Sequence, residues 1–176
     1  MRSLVRSMAV VAALSLIVIG VEGAQAQTAP ASSGVEPNQI YIDGFAPGWS
    51  LSGWAKNTPQ KPIDNGMRPI LVQMQGWANI GFKPDKPISI KAYKTFTFAA
   101  FLDGHGKQEI NVILRNKGQD VSRKLVLKGP KQQWFEIDQA VADLHVTGDG
   151  TFDEIQFSNP GGDAQEDFYI DNVALQ

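Results

Sequence analysis

The residue whose chemistry is hardest to accommodate is Asp171, which interrupts the apolar run Phe168–Leu175. An aromatic and aliphatic run of this length predicts a buried final strand. A carboxylate on a buried strand destabilises the fold unless a cation or several hydrogen-bond donors compensate its charge. The sequence therefore predicts a specific partner for Asp171, either a bound cation or a set of local amide donors.

A second group of side chains has the types that bind carbohydrate. Sugars present apolar CH faces, which pack on flat aromatic rings, and hydroxyl groups, which need amide, guanidinium or carboxylate partners. The candidates are Trp77, Asn79, Tyr93, Asn111, Arg115 and Trp134. Alternation along residues 109–114 turns Asn111 away from the core, towards an exposed sheet face. Trp77 and Trp134 are equally compatible with the core, and the sequence leaves both interpretations open.

Groups that could catalyse a reaction are few. The sequence contains no cysteine, and His105 and His145 lack the spacing of a zinc site or of a nucleophile and its base. A glycosidase needs two facing carboxylates, whereas Glu136 and Asp138 are predicted to share one strand face. We therefore expect a protein that is not an enzyme.

The net charge of −2 hides an uneven distribution of charge along the chain. Residues 83–131 carry eleven Lys and Arg against four acids, a surplus of seven positive charges, and residues 134–176 carry ten acids with no Lys or Arg. Either the two regions face each other within one domain, or they form an acidic calcium-binding edge and a basic face for an anionic polymer. Few aromatics interleave the basic region, so no nucleic acid partner is expected.

The first 26 residues have the features of a secretory signal peptide. Two arginines precede the apolar run of residues 8–21, and Ala24-Gln25-Ala26 is a cleavage signature, with cleavage expected before Gln27. Residues 27–37 are predicted to be a disordered lead. No further apolar run is long enough to span a membrane. The predicted location is periplasmic or extracellular, where a domain without disulfides often needs another stabilising element, such as a metal.

Residues 38–176 are predicted to form one all-β domain. Nine or ten short alternating segments are separated by turn residues at nearly regular intervals, and no ten-residue stretch shows a 3.6-residue period. This pattern favours a two-sheet antiparallel β-sandwich of the jelly-roll type, with a closed barrel as the alternative.

The two ends of this domain resemble those of galactose-binding-like jelly rolls. The resemblance rests on Tyr41-Ile42-Asp43-Gly44 followed by Gly48-Trp49 at the start, and on the run 168–175 at the end. Between them, Asn65-Gly66, Trp77, Phe96, Phe98 and Trp134 follow in the expected order. That fold includes many carbohydrate-binding modules attached to secreted bacterial enzymes that degrade polysaccharides.

The resemblance implies a structural calcium between the first and last strands. Asp43 and Asp171 match the two acidic positions of that pattern, and the backbone near Asn65 and Gly66 matches the loop that closes the site. Calcium takes six to eight oxygen ligands, which such a site would supply. The alternative is that Asp43 caps a turn and Asp171 accepts local amide hydrogen bonds.

Related secreted proteins carry an aromatic residue between two tryptophans after the first strand. Here Leu51-Ser52-Gly53 stands between Trp49 and Trp54. This departure favours a place in the core for both indoles.

We therefore expect a secreted, non-catalytic carbohydrate-binding module that recognises a poly- or oligosaccharide and contains calcium. The alternative is a structural or protein-interaction sandwich of the cell envelope, whose partner would be an envelope protein or a secreted enzyme. A small polysaccharide lyase or hydrolase that holds an acidic glycan with the basic region is a third interpretation.

Overall fold

A computed structural model describes residues 38–63, 66–104, 106 and 108–176. The predicted signal peptide 1–26, the predicted lead 27–37, Asn65 and His105 lie outside this described part. The strands are β1 (Asn38–Tyr41), β2 (Trp49–Gly53), β3 (Lys56–Thr58), β4 (Ile70–Gln73), β5 (Asn79–Pro84), β6 (Ile88–Ser89), β7 (Thr95–Leu102), β8 (Ile110–Asn116), β9 (Gln119–Asp120), β10 (Leu125–Leu127), β11 (Trp134–Ala140), β12 (Thr151–Phe152), β13 (Glu154–Ser158) and β14 (Phe168–Leu175). Two 3-10 turns lie at Ile90–Ala92 and Val141–Leu144.

The strands form two large antiparallel sheets. Sheet A has the order β11-β7-β14-β4-β3, with β1 also paired to β14, and sheet B has the order β10-β8-β13-β5-β2, with β9 paired to β8. A short pair, β12 and β6, forms a third sheet, from which Phe152 enters the core. The prediction of an all-β, two-sheet antiparallel sandwich is therefore confirmed.

Strict alternation on the central strands builds the core between the sheets. In β7 the inward residues are Phe96, Phe98, Ala100 and Leu102, all buried. In β8 they are Ile110, Val112 and Leu114. Rings from the two sheets meet edge to face, with the centroids of Phe98 and Phe157 5.2 Å apart. Since every second residue is committed to this core, the remaining residues lie on the two outer faces.

The last strand, β14, has one partner along one edge and two partners along the other. β14 pairs with β7 along one side, while its other side pairs with β4 over Phe168–Ile170 and with β1 over Val173–Leu175. One extra residue is inserted between Asp171 and Ala174, where Asn172 has φ +52°. This bulge lies where β4 gives way to β1. The predicted adjacency of the first and last strands is confirmed.

Tyr41 ties the first strand to the loop between β3 and β4. Its side chain is fully buried, and its hydroxyl donates to the Arg68 carbonyl at 2.6 Å and accepts from the Gln60 amide at 3.0 Å. One hydroxyl thus fixes two points of the loop that leads into β4.

Replacing this hydroxyl tests its contribution. Tyr41→Phe keeps the ring but leaves the Gln60 N–H and the Arg68 carbonyl without this partner, so we expect the free energy of unfolding to fall by about 1–3 kcal/mol. Urea denaturation measures the change. The matched control is Tyr93→Phe, because the Tyr93 hydroxyl only accepts one long bond of 3.3 Å from Asn38. Equal losses in the two variants would contradict the assigned role of Tyr41.

Candidate functional site

The face of sheet B that points away from the core, here called the outer face of sheet B, gathers several of the candidate side chains. Asn79 on β5 lies opposite Ser158 on β13, and Ser158 lies opposite Asn111 on β8. One step along, Gln156 lies opposite Gly81 on one side and Ile113 on the other. The register therefore brings polar residues from three neighbouring strands into adjoining rows.

Three amide side chains form the centre of this face. No described residue makes a hydrogen bond with the side chains of Asn79, Asn111 or Gln156. Asn111 is 8% exposed and Gln156 is 9% exposed, so both lie low on this face, and together with Asn79 they are here called the amide floor. The register confirms that Asn111 points away from the core, but the expected exposure is wrong, because the residue is almost inaccessible to solvent. Amide groups so placed have donors and acceptors free for a ligand.

At the other end of the face, charged and hydroxyl side chains contact one another. The Arg115 Nε lies 3.3 Å from Asp120 Oδ1, and Arg115 Nη1 lies 3.8 Å from Glu154 Oε2. The Ser52 hydroxyl donates to Glu154 Oε1 at 2.6 Å. This chain of contacts crosses β5 at Gly81, where an added Cβ would lie 2.2 Å from Glu154 Oε1 and 2.4 Å from Ser52 Oγ. Glycine at this position therefore lets β13 and β2 make side-chain contact across β5.

The backbones of two exposed tryptophans lie next to β5 at the amide end of the face. Trp77 is 66% exposed and Trp54 is 55% exposed. Trp77 lies two residues before Asn79, and the Trp54 amide donates to the Asn79 carbonyl at 3.0 Å. The core interpretation is thus wrong for Trp54. It is correct for Trp49, which is 8% exposed and donates through Nε1 to Asn38 Oδ1 at 3.2 Å.

Trp77 is exposed although its backbone is firmly held. Its φ is +62°, a conformation that costs free energy for a bulky residue. Its amide donates to the Gly161 carbonyl at 2.7 Å, and its indole lies against Gly162, where an added Cβ would be 3.2 Å from Nε1. Buried Asn159 fastens the same segment by donating to the carbonyls of Gln75 and Asp163. The fold therefore holds an indole in solvent on a strained, anchored backbone.

The remaining predicted ligand residues lie elsewhere. Trp134 is on the outer face of sheet A, in contact with Phe101 and Tyr169. Tyr93 is half-buried against the core beside the start of β1. The six predicted residues therefore divide among three places, with four of them on or beside the outer face of sheet B. Sequence reasoning missed Ser52, Trp54, Glu154, Gln156 and Ser158, although alternation in β13 around Ile155 and Phe157 carries the signal for three of these.

Asp43 and Asp171 meet at the bulge of β14, as predicted. Asp171 is 1% exposed, and its Oδ1 accepts from the amides of Asp43 at 3.3 Å and Asn172 at 2.8 Å. Asp43 Oδ1 accepts from the Arg68 amide at 2.6 Å. Burial raises the pKa of Asp171, the two amides oppose that rise, and the charge of Asp43 adds to it. Two carboxylates thus lie close together without a described cationic side chain to pair with them.

The donor set at this position is limited. Within the described residues, no group of three or more His, Cys, Asp or Glu side chains could hold a metal ion. Gly66 is exposed and lies two residues before Arg68, so its loop is brought next to Asp43 by the Arg68 amide. Backbone carbonyls would have to complete any metal site here.

Comparison with solved structures identifies the kind of fold. A variant of a family 29 carbohydrate-binding module complexed with mannohexaose has a TM-score of 0.55 and 16% identity, over 79% of this chain and 89% of that one. Another variant, complexed with cellulohexaose, has a TM-score of 0.55 and 15% identity over the same shares. The protein thus has the jelly-roll fold of these modules, as its resemblance to galactose-binding-like domains implied. No protein-family model and no curated protein matches the sequence.

The described part of the chain has no helix that is long and apolar enough to cross a membrane.

The contact across Gly81 can be tested with a double-mutant cycle. Gly81→Ala places a methyl group where Ser52 and Glu154 meet, so we expect their hydrogen bond to break, at a cost of about 1–2 kcal/mol in unfolding free energy. Ser52→Ala removes the same bond without the methyl group. Because both changes act on one contact, the double variant should lose less than the sum of the single losses. Additive losses in urea denaturation would show that Gly81 serves another purpose.

Proposed function

We propose that this protein is a non-catalytic carbohydrate-binding module, and that it binds its sugar chain on the outer face of sheet B. The observation that carries the proposal is a pair of exposed indoles, on backbone held by hydrogen bonds, next along the chain to amide side chains that have no partner among the described residues. The similarity in fold to family 29 carbohydrate-binding modules supports it.

The indoles and the amide floor would contribute different interactions. The rings of Trp77 and Trp54 would pack on the apolar faces of sugar rings, where aromatic burial supplies most of the free energy. Asn79, Asn111 and Gln156 would bond hydroxyl groups, because each amide offers both donors and acceptors. A ligand that pairs with these amides also removes the cost of leaving them unpartnered.

The ligand class we infer is a neutral hexose oligosaccharide. Two of the similar modules are complexed with mannohexaose and cellulohexaose, which are neutral chains. The amide floor likewise carries no net charge. Arg115 is paired with Asp120 and Glu154 and would position the edge of the floor without requiring an acidic sugar.

We also propose that the protein is exported to the periplasm or the extracellular space, as its basic and apolar first 26 residues suggest. A binding module is most useful when it holds a catalyst near its substrate, because tethering raises the effective concentration. The proposed partners are therefore a polysaccharide and a secreted enzyme that acts on it.

Substitution of Trp77 separates binding from stability. Trp77→Gly removes the stacking ring and also relieves a backbone conformation that glycine adopts freely. We expect affinity for the bound neutral hexasaccharide to fall at least about tenfold, which corresponds to 1.4 kcal/mol. The melting temperature should stay the same or rise. Isothermal titration calorimetry with mannohexaose and cellulohexaose, and thermal denaturation, measure the two effects.

Trp134→Phe is the matched control, because it alters an indole on the other sheet. It should leave binding of the neutral hexasaccharide unchanged. Absence of binding by the unaltered protein to either sugar, and to neutral polysaccharides in affinity gels, would contradict the proposal. Recovery of the protein from its host in a stable complex with an envelope protein would then favour the structural alternative.

We further propose that calcium binds between Asp43 and Asp171. The residues fit a hard cation: two carboxylates lie together, and burial and mutual repulsion disfavour the charged form of Asp171. Both carboxylates would serve as ligands, with backbone oxygens of the loop at Gly66 and solvent as the expected remainder. A bound calcium ion would neutralise this charge and join the first strand to the last.

Removing calcium should lower the melting temperature of the protein. A ligand that binds only the native state stabilises it by about 2.7 kcal/mol at a hundredfold excess over Kd. Asp171→Asn keeps an oxygen that can accept from the amides of Asp43 and Asn172 but removes the charge. In chelator, this variant should be at least as stable as the unaltered protein, and added calcium should not stabilise it. Identical melting temperatures of the unaltered protein in calcium and in chelator would contradict the proposed calcium site.

A further inference from the structure

The outer face of sheet A contains a trough on the opposite side of the sandwich from the proposed sugar site. Its floor consists of the short side chains of Thr97 and Ala99 on β7 and Ala174 on β14. Two adjoining depressions of about 380 and 530 Å³ share Ala99, Glu136 and Asn172. The trough therefore extends over several residues of β7 and β11.

At one end the trough is lined by Trp134, which belongs to a row of three aromatic rings in register. Trp134 on β11 lies opposite Phe101 on β7, which lies opposite Tyr169 on β14. The ring centroids of Phe101 lie 5.7 Å from those of both Trp134 and Tyr169. All three side chains remain partly exposed, so the trio presents aromatic surface to a ligand.

The wall formed by β11 is acidic. Glu136 and Asp138 alternate on the same face, as the sequence predicted, and both are exposed. No described Lys or Arg lies within ion-pair distance of either carboxylate or lines the trough. The amides of Gln39, Asn172 and Gln176 also line the trough, together with the apolar side chains of the exposed Ile42 and of Met67. An occupant with positive charges, hydroxyl groups and apolar faces would complement all of these groups.

We propose that this trough is a second binding site, specific for an oligosaccharide of amino sugars that carry free ammonium groups. The carboxylates of Glu136 and Asp138 would pair with the ammonium groups, and the Trp134 ring would pack on a sugar face or an ammonium group. Acidic glycans are repelled by the same carboxylates. This site differs from the outer face of sheet B in its elements and in the charge of its ligand.

A sugar fits this trough better than an extended basic peptide. The floor strands β7 and β14 have both edges paired around Ala99, since β7 pairs with β11 and β14, and β14 pairs with β7 and with β4 or β1. A peptide could therefore not add to the floor as a strand, which is how extended peptides gain backbone hydrogen bonds. Recognition in this trough rests on side chains alone.

The contributions of the two carboxylates and of the Trp134 ring can be tested by comparing a charged ligand with an uncharged one. Calorimetry at mildly acidic pH would compare a glucosamine hexamer with the N-acetylglucosamine hexamer, which has the same sugar rings but no charge. We expect the charged hexamer to bind at least about tenfold more tightly. The double variant Glu136→Gln, Asp138→Asn should lose at least the same factor, and Trp134→Phe should weaken binding several-fold. The double variant is isosteric, Trp134→Phe keeps an aromatic ring of smaller size, and thermal denaturation would verify that both remain folded.

The controls distinguish this site from the one on sheet B. Trp77→Gly should bind the glucosamine hexamer as well as the unaltered protein does, and the double variant should keep its affinity for the neutral hexose chain. Equal affinity for the two hexamers, or loss of the charged hexamer in Trp77→Gly, would overturn the proposal. Binding of a lysine hexapeptide as tightly as the glucosamine hexamer would also overturn it, because the trough would then be only an acidic surface.

Discussion

The structure depends on how β14 pairs with two strands, β4 and β1, along the edge that lies opposite β7. β14 pairs first with β4 and then with β1, and the change occurs at a one-residue bulge beside Asp171. There the Asp171 carboxylate accepts from the amide of Asp43, which follows β1, and from the amide of Asn172 in the bulge itself. This contact joins the start and the end of the domain. The next strand, β2, belongs to the opposite sheet, so fixing β1 also fixes the point from which the chain crosses over.

The sandwich that results presents two outer faces of different chemistry. Alternation commits half of each central strand to the core and leaves the other half to line a face. On sheet B the free residues are amides with an Arg–Glu–Ser chain, bordered by exposed indoles. On sheet A they are short residues, two carboxylates and an aromatic trio. Apart from Trp54 and Trp77, which lie in turns next to β2 and β5, both sets stand on paired strands, and such rigid support holds a binding site more accurately than a loop does.

Much of this arrangement could be predicted, and the failures have a common physical cause. The fold class, the adjacency of Asp43 and Asp171, and the outward direction of Asn111 follow from local alternation and from resemblance. Trp54, expected in the core, is exposed because its place depends on the turn that follows β2. Trp134 and Asn79 were placed in one group, yet they lie on different sheets. Sheet membership and register are set by contacts between distant segments, which side-chain type alone does not encode.

The four tryptophans report on three environments of the sandwich, so together they test where sugar binds. Trp49 is in the core, the exposed Trp54 and Trp77 lie next along the chain to the amide floor of sheet B, and Trp134 lies on sheet A. Nuclear magnetic resonance of the indole N–H groups during titration with mannohexaose or cellulohexaose would report on all four together. We expect the signals of Trp77 and Trp54 to shift and those of Trp49 and Trp134 to stay in place. Shifts confined to Trp134, or no shifts at saturating sugar, would contradict it.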